Sequence, residues 1–584
     1  MTINHRRLLA AATLALFPTP ALAACSVARI AEFAVTMDDL SPRIETHING
    51  KEARFILDSG AFYSTISPGS AAELGLRLQP APDGFTMSGV GGETSVKLAT
   101  VKEFKLAGSS LHDIQFIVGG SEFGAVGLLG QNVLRIADVE YDLAHGAVRL
   151  MRAKGCGNVN LAYWHGDKSY SMLETAPTSP FAPHTVATVM LNGVKLRAMF
   201  DTGAPTTMLS LSAAARAGIK PDSAGVVDAG ESSGIGRHVV RTWIGPFTGL
   251  KLGDNEEIQR IKLRFARTDL GDADMLIGAD FFLSHRAYVA NDLHRMFITY
   301  NGGPVFDLTV HEDGTTRPVP AIAGDAAQPT DAAGFARRGA ALAARRQYKD
   351  AIGDFGHAMA MAPADARYPY QRAMARLATG DRDAAATDLD LAIKLDPNAV
   401  DARVTRAAFH SGDDDHAPAR ADADALDHQL APSSDRRFDL ADIYQSIDAF
   451  EPALAQYDQW IRTHPDDSRR AVALNGRCWT RAQLGHDLPR ALDDCNTAIR
   501  LRPGEAAFLD SRGMVQLRLG NLDRAIADYD AALAKVHDIA WSLYGRGLAK
   551  QRKGLKEEGA ADIAAAVKID AKLPVRAKKL GITS

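Results

Sequence analysis

The chain has 584 residues, 46% of them apolar, 23% charged and 7% aromatic, with 66 Lys and Arg against 70 Asp and Glu for a formal net charge of −4. That is the composition of ordinary globular domains, and it excludes a disordered, a collagenous or a many-span membrane chain. A near-neutral balance without runs of like charge also gives no footprint for nucleic acid.

Residues 1–23 read as a signal peptide. His5-Arg6-Arg7 is a basic start, Leu8 to Phe17 an apolar stretch, and Ala21-Leu22-Ala23 a small-x-small cleavage site. No later stretch reaches the ~18 apolar residues of a membrane span. The expected location is the periplasm, with a lipid-anchored or secreted form as the alternative. Leu22-Ala23-Ala24-Cys25 also reads as a lipobox, which would place lipid on Cys25 and the protein on a membrane. The cysteines favour another use. Cys25 and Cys156 fall early and Cys478 and Cys495 late, an even set for which two disulfides are the economical expectation in an exported chain.

Residues 24–157 and 158–311 are expected to be two copies of one β-rich lobe. Ile48-Asn49-Gly50 returns as Leu191-Asn192-Gly193, and Leu57-Asp58-Ser59-Gly60-Ala61 as Phe200-Asp201-Thr202-Gly203-Ala204. In both copies the Asp lies nine residues past the Asn, and a Gly (Gly75, Gly218) lies seventeen past the Asp. Ser88-Gly89-Val90-Gly91 matches Ser233-Gly234-Ile235-Gly236, and Leu128-Leu129-Gly130-Gln131-Asn132 matches Leu276-Ile277-Gly278-Ala279-Asp280. Asn-Gly between apolar runs signals a tight hairpin, so each Asp is expected just after a hairpin's second strand. The glycine-rich tips predict a second hairpin per lobe, and the apolar-apolar-Gly blocks predict buried strands where another backbone comes close.

Two in-register Asp-Ser/Thr-Gly-Ala segments, each with its own apolar-apolar-Gly block, resemble the retropepsin-like aspartic peptidases over about residues 40 to 300. The resemblance implies an all-β, two-lobed fold, here a pseudo-dimer within one chain, with Asp58 and Asp201 face to face as the catalytic pair. Two carboxylates at close range cannot both ionise, so they share a proton and can serve as base toward water and acid toward the scissile carbonyl. By the same resemblance Ser59 and Thr202 tie the loops together, and Gly60 and Gly203 leave room around the carboxylates. Gly89, Val90 and Gly91 with Gly234, Ile235 and Gly236 match the family's flaps, which close on substrate. Lobe size agrees with the retropepsin type, since 72 residues separate Asp58 from Gly130 and 77 separate Asp201 from Gly278. Asp142 and Asp292 recur as turn residues, and Asp280 reads as a helix cap. The histidines show no metal spacing, no nucleophile elbow or phosphate loop is present, and no cofactor is expected.

A Pro/Ala/Gly/Thr-rich linker is expected over residues 312–332. From 333 to 584 a period of 34 sets in, through Gly339, Ala373, Ala407 and Ala441, resumed at Gly513 and Gly547. Ala351 and Ala385, Phe355 and Leu389, and Pro363 and Pro397 keep the same register. This resembles tetratricopeptide repeats, about seven of them, an all-α solenoid. The third is degenerate near Asp413 to Asp415 and the fifth lengthened near Leu488. Tyr457, Trp460, Trp479, Tyr529 and Trp541 read as helix-packing residues. The whole predicts an exported aspartic endopeptidase acting on a peptide or protein substrate, with a possible protein partner on the repeats. The alternative is a non-catalytic scaffold that holds peptides in the same lobes.

Overall fold

The computed structural model describes residues 25–120, 124–157, 159–178, 183–232, 234, 239–306, 328–412 and 416–582. The signal peptide, Ile235 and Gly236 of the second glycine tip, most of the expected linker and Asp413 to Asp415 lie outside the described residues.

Each lobe is built as its turn chemistry dictates. Asn49 (φ 51°) and Gly50 (φ 81°) take the left-handed conformation that a two-residue hairpin turn demands, joining Ser41–Ile48 to Lys51–Leu57 with Ile48 opposite Lys51. The second of these strands delivers Asp58. Gly127–Leu129 then lies parallel to Phe55–Leu57 on one side and antiparallel to Thr65–Ile66 on the other. Lobe 2 repeats the pattern. Asn192 and Gly193 turn Val186–Leu191 into Val194–Phe200, and Met275–Ile277 pairs parallel with its end and antiparallel with Met208–Leu209. A Cβ at Gly130 would come within 2.7 Å of the Ala61 carbonyl, and one at Gly278 within 2.6 Å of that of Ala204. These are the close backbone approaches that the apolar-apolar-Gly blocks predict.

The lobes join through one sheet. Its strands run Ser171–Glu174, Arg295–Tyr300, His285–Ala290, Asp138–Asp142, Ala147–Lys154 and Ser26–Asp38, and the seam pairs Tyr141 with Ala287 and Glu140 with Tyr288. Asp142 is more than a turn residue: it is buried at the end of its strand and paired with Arg149 and His145. Cys25 is disulfide-bonded to Cys156, across from the Ser26–Lys154 strand pair.

Seven helix pairs follow among the described residues, from Ala332–Ala344 with Tyr348–Met361 to Ala540–Arg552 with Lys556–Ile569. Small residues such as Gly339 and Ala373 let paired helices approach, and Phe355, Leu389 and Tyr529 fill the gaps. An Arg on the first helix forks onto an Asp sixteen residues later on the second: Arg338–Asp354, Arg372–Asp388, Arg406–Asp422, Arg512–Asp528 and Arg546–Asp562. Such bidentate pairs fix the register of each helix pair. The longer fifth repeat keeps the pair as Arg477–Asp494 and adds the Cys478–Cys495 disulfide between its two helices.

The solenoid is docked on the lobes. Ala340, Leu342 and Phe355 of the first repeat join the same apolar core as Phe33, Phe200 and Phe281. Arg367 pairs with Glu45, Arg54 with Asp401, and Arg502 with Glu231 beside the second glycine tip. Among the described residues, no helix is long and apolar enough to cross a membrane.

Candidate active site

The parallel strands that frame each Asp also hold it. The Asp58 amide donates to the Leu129 carbonyl (3.0 Å) and the Asp201 amide to that of Ile277 (2.8 Å). One oxygen of Asp58 accepts from the amides of Gly60 and Ala61, both at 2.8 Å, and one of Asp201 from Gly203 (2.9 Å) and Ala204 (3.2 Å). Between the lobes the loops clasp symmetrically. The Ser59 amide donates to Thr202 Oγ1 (3.0 Å) and the Thr202 amide to Ser59 Oγ (2.9 Å). Each hydroxyl donates onward to the opposite lobe, Ser59 Oγ to the Phe200 carbonyl (2.8 Å) and Thr202 Oγ1 to that of Leu57 (2.7 Å).

The clasp brings the two carboxyls together. A Cβ on Gly60 would lie 2.3 Å from Asp201 Cγ, and one on Gly203 2.2 Å from Asp58 Cγ, so only glycine fits at either position. Asp58 is 8% exposed. Burial, then the neighbouring Asp201 charge, push its carboxyl well above the usual carboxylate range. Burial also raises Asp201, against the hydrogen bonds from Asp58 and its own loop amides. The pair therefore keeps a proton at pH values where free carboxyls have lost theirs, and it titrates as one unit.

Thr86–Gly89 and Gly92–Ser95 form a hairpin whose tip residue Val90 reaches lobe 2. There it packs with Met208 and Leu276, and Gly234 of the second tip lies against it so closely that a Cβ there would come 3.0 Å from Val90 Cβ. The tips of the two lobes thus meet. Beside the Asp58 loop a cavity of about 470 Å³ opens between Phe62, Tyr63 and Arg135 of lobe 1 and Asp292 and His294 of lobe 2.

Two neighbours of the dyad are not legible from the duplication. Tyr141, buried at the lobe seam, lies near the Ser59 side chain and the two carboxyls, and burial pushes its phenol up. His184 packs edge-on against Phe62, with ring centroids 6.0 Å apart, and its Nε2 is buried with no hydrogen-bond partner among the described residues. Burial lowers the affinity of His184 for a proton, while the charge of Asp201 and the Gly60 backbone raise it. Lobe 1 has Ser41 at the matching position, so no repeat marks this histidine. Among the described residues, no group of three or more His, Cys, Asp or Glu side chains is arranged to hold a metal ion.

Asp280 does more than the cap expected of it. Gly278 occupies the N-cap position of Ala279–Phe282, and the Asp280 carboxylate accepts from the Phe281 amide in the first turn (3.0 Å) and also from the Thr207 amide (2.9 Å) and hydroxyl (2.7 Å). Asn132 holds Ser64 in the same way in lobe 1, amide and hydroxyl both at 2.8 Å. The local fold thus works with a neutral amide, and in lobe 2 burial pushes the Asp280 carboxyl up to about 6. Because the unfolded value is about 3.9, the native state binds this proton more tightly than the unfolded chain. The resulting stability is complete below about pH 4 and is lost as pH rises through about 6, a deficit of about 3 kcal/mol at pH 7. Asp280→Asn is therefore expected to remove that loss and raise the melting temperature at pH 7 while changing little at pH 4. Equal effects at both pH values in thermal melts would refute the assignment.

Comparison with known proteins places related domains on the same segments of the chain. Residues 44–136 match the gag-polyprotein aspartyl protease family, residues 187–281 the Aspartyl protease family, and residues 366–399 the Tetratricopeptide repeat family. The chain thus carries two retropepsin-like aspartyl protease domains followed by tetratricopeptide repeats. No curated protein sequence matches it. Solved structures similar to it include a tetratricopeptide repeat protein from Parabacteroides merdae, with 15% identity over 42% of this chain and 96% of that one, TM-score 0.34. YrrB, a TPR protein with an unusual peptide-binding site, is 17% identical over 38% of this chain and 97% of that one, TM-score 0.21. MamA is 19% identical over 34% and 94%, TM-score 0.20.

Proposed function

We propose that the protein is an exported aspartic endopeptidase in which Asp58 and Asp201 activate water, with the solenoid as its protein-interaction module. The observation that carries this reading is the reciprocal fit of Gly60 against Asp201 and Gly203 against Asp58, which leaves the two carboxyls in one shared environment. A pair holding one proton has a base for water and an acid for the scissile carbonyl at the same moment. Water loses a proton to the ionised carboxyl as its oxygen adds to the carbonyl carbon, whose oxygen takes the proton of the other. Collapse of the tetrahedral species passes a proton to the departing amine and restores the shared state. The roles belong to the pair rather than to either residue. Val90 and Gly234 are the flap tips in this reading, closing on an extended peptide and excluding water.

Export rests on the basic, apolar and small-x-small order of residues 1–23 and accords with the two disulfides, which persist in oxidising compartments. The test is to incubate the chain from residue 24 with a complex peptide library from acid to neutral pH and read cleavage by mass spectrometry. Cleavage with a bell-shaped pH dependence is expected, limited on the alkaline side by loss of the shared proton. A folded chain that cuts nothing at any pH would replace this reading with that of a peptide-holding scaffold.

A further inference from the structure

The helix Leu573–Lys579 and the residues after it reach beyond the last repeat, to side chains on or next to the first helices of repeats four, six and seven. Arg576 lies over the ring of Trp541, 5.9 Å from its centroid, on the first helix of the seventh repeat. Arg518, at the end of the sixth repeat's first helix, donates to the Leu580 carbonyl at 2.5 Å. Lys579 reaches Asp448, in the turn after the fourth repeat's first helix, at 2.8 Å. These partners lie on or at the ends of the first helices of repeats four, six and seven, so this one segment bridges the three repeats. The apolar side, Leu573, Ala577 and Ile582, is fully buried in the core of the fifth to seventh repeats. Trp541 also meets Trp479 of the fifth repeat edge-on, with centroids 5.7 Å apart. These two tryptophans, expected to be helix-packing residues, do pack against that core and on each other, and Trp541 also receives Arg576.

We propose that the surface under this segment is a receptor for a short basic amphipathic helix from a partner polypeptide, and that Leu573–Lys579 is its resident, displaceable occupant. The occupant itself defines the chemistry of the partner. Two aliphatic positions one turn apart enter the core, one cation stacks on Trp541, and a second pairs with Asp448. Several features make the helix displaceable. It has seven residues, below the length at which a helix stands alone, and no side-chain cap at its N-terminus. Its ties to Asp448 and Trp541 come from side chains that are half exposed or more. The solenoid helices that it touches are instead locked by buried forks and a disulfide. The proposal concerns the solenoid alone and does not depend on whether the cleft cuts peptides.

The experiment uses a fluorescein-labelled peptide of residues 570–582 as the probe. It is titrated into the full chain and into the full chain carrying Leu573→Asp and Ala577→Asp, which expel the resident helix. The variant is expected to bind the peptide at least ten-fold more tightly, because the unmodified surface is already filled at high effective concentration. Adding Trp541→Ala, or replacing Arg576 and Lys579 of the peptide with Glu, is expected to reverse that gain. Hydrogen exchange on the unmodified chain gives a second reading that needs no variant. Amides of residues 576–582 should exchange at least ten-fold faster than those of 543–549. Equal protection of the two segments, or a variant that keeps its helical circular dichroism and thermal transition yet gains no affinity, would overturn the proposal.

Discussion

Asp58→Asn and Asp201→Asn are each expected to abolish peptide hydrolysis on their own, while the double substitution does no further harm. The reason is geometric. The two loops share one pair of hydrogen-bonded clasps, and each carboxyl sits where the opposite glycine leaves space for it. A single amide in the pair cannot hold the mobile proton, so the base and the acid are lost together. General acid–base contributions of about 10²–10⁴-fold each set the scale of the loss in turnover. Groups that act as one unit are non-additive, which predicts the silence of the second substitution. The fold should survive. Asn at either position offers an oxygen to the same amides, Gly60 and Ala61 or Gly203 and Ala204. It also removes a buried carboxyl whose ionisation burial opposes. Melting temperatures at or above the wild type near neutral pH, together with lost cleavage, are the expected outcome. Residual turnover above a tenth of wild type in either single variant would mean that the chemistry resides elsewhere.

The distance between sequence and structure differs from one part of this site to the next. What recurs at fixed spacing was legible. The Asn-Gly turns need φ > 0, the Asp follows the strand, and the later glycine accepts a close backbone, so each repeats in both lobes for a stated physical reason. The solenoid's period was equally plain. Its Arg–Asp forks could have been found too, since Arg338, Arg372 and Arg406 keep the 34-residue spacing and each has an Asp sixteen residues on. His184 and Tyr141 carry no such signal. His184 has a serine in the matching place, and Tyr141 acquires its meaning only when two distant strands pair at the seam. Asp280 was legible only in part: its position beside a helix start points to a cap, and the carboxylate does accept from Phe281 of the first turn, but it also holds Thr207 as Asn132 holds Ser64. The helix Leu573–Lys579 was invisible for a different reason. Its amphipathic pattern states that it must be covered, and only the curvature of the solenoid decides by what.

The seam supplies the second large effect, in Glu140→Ala. Glu140 is 0% exposed, and its carboxylate accepts from Arg149 Nη1 (2.5 Å) and from Arg286 Nε (3.1 Å) and Nη2 (2.6 Å), with the Tyr163 hydroxyl on its second oxygen. Arg149 belongs to lobe 1 and Arg286 to lobe 2, so this one carboxylate neutralises a cation from each. Desolvating it costs much of what the ion pairs return, and the cluster's net contribution against an apolar replacement is small. Removing one member is another matter. Two guanidiniums, each with little exposed surface, would face one another with only Asp142 and Glu32 in support. Breaking such a buried cluster costs about 3–5 kcal/mol, against about 0–1 for an exposed pair. The loss should reach the active site, because the next residue along the strand is Tyr141, which lies beside Ser59 of the inter-lobe clasp. Denaturant unfolding is therefore expected to give a drop of that size for Glu140→Ala, with cleavage failing at a lower temperature than in the wild type. Adding Arg286→Met should recover part of the loss by relieving the unpaired charge. A cost below about 1 kcal/mol would place Glu140 among ordinary exposed pairs and leave the joining of the lobes to backbone pairing and apolar burial.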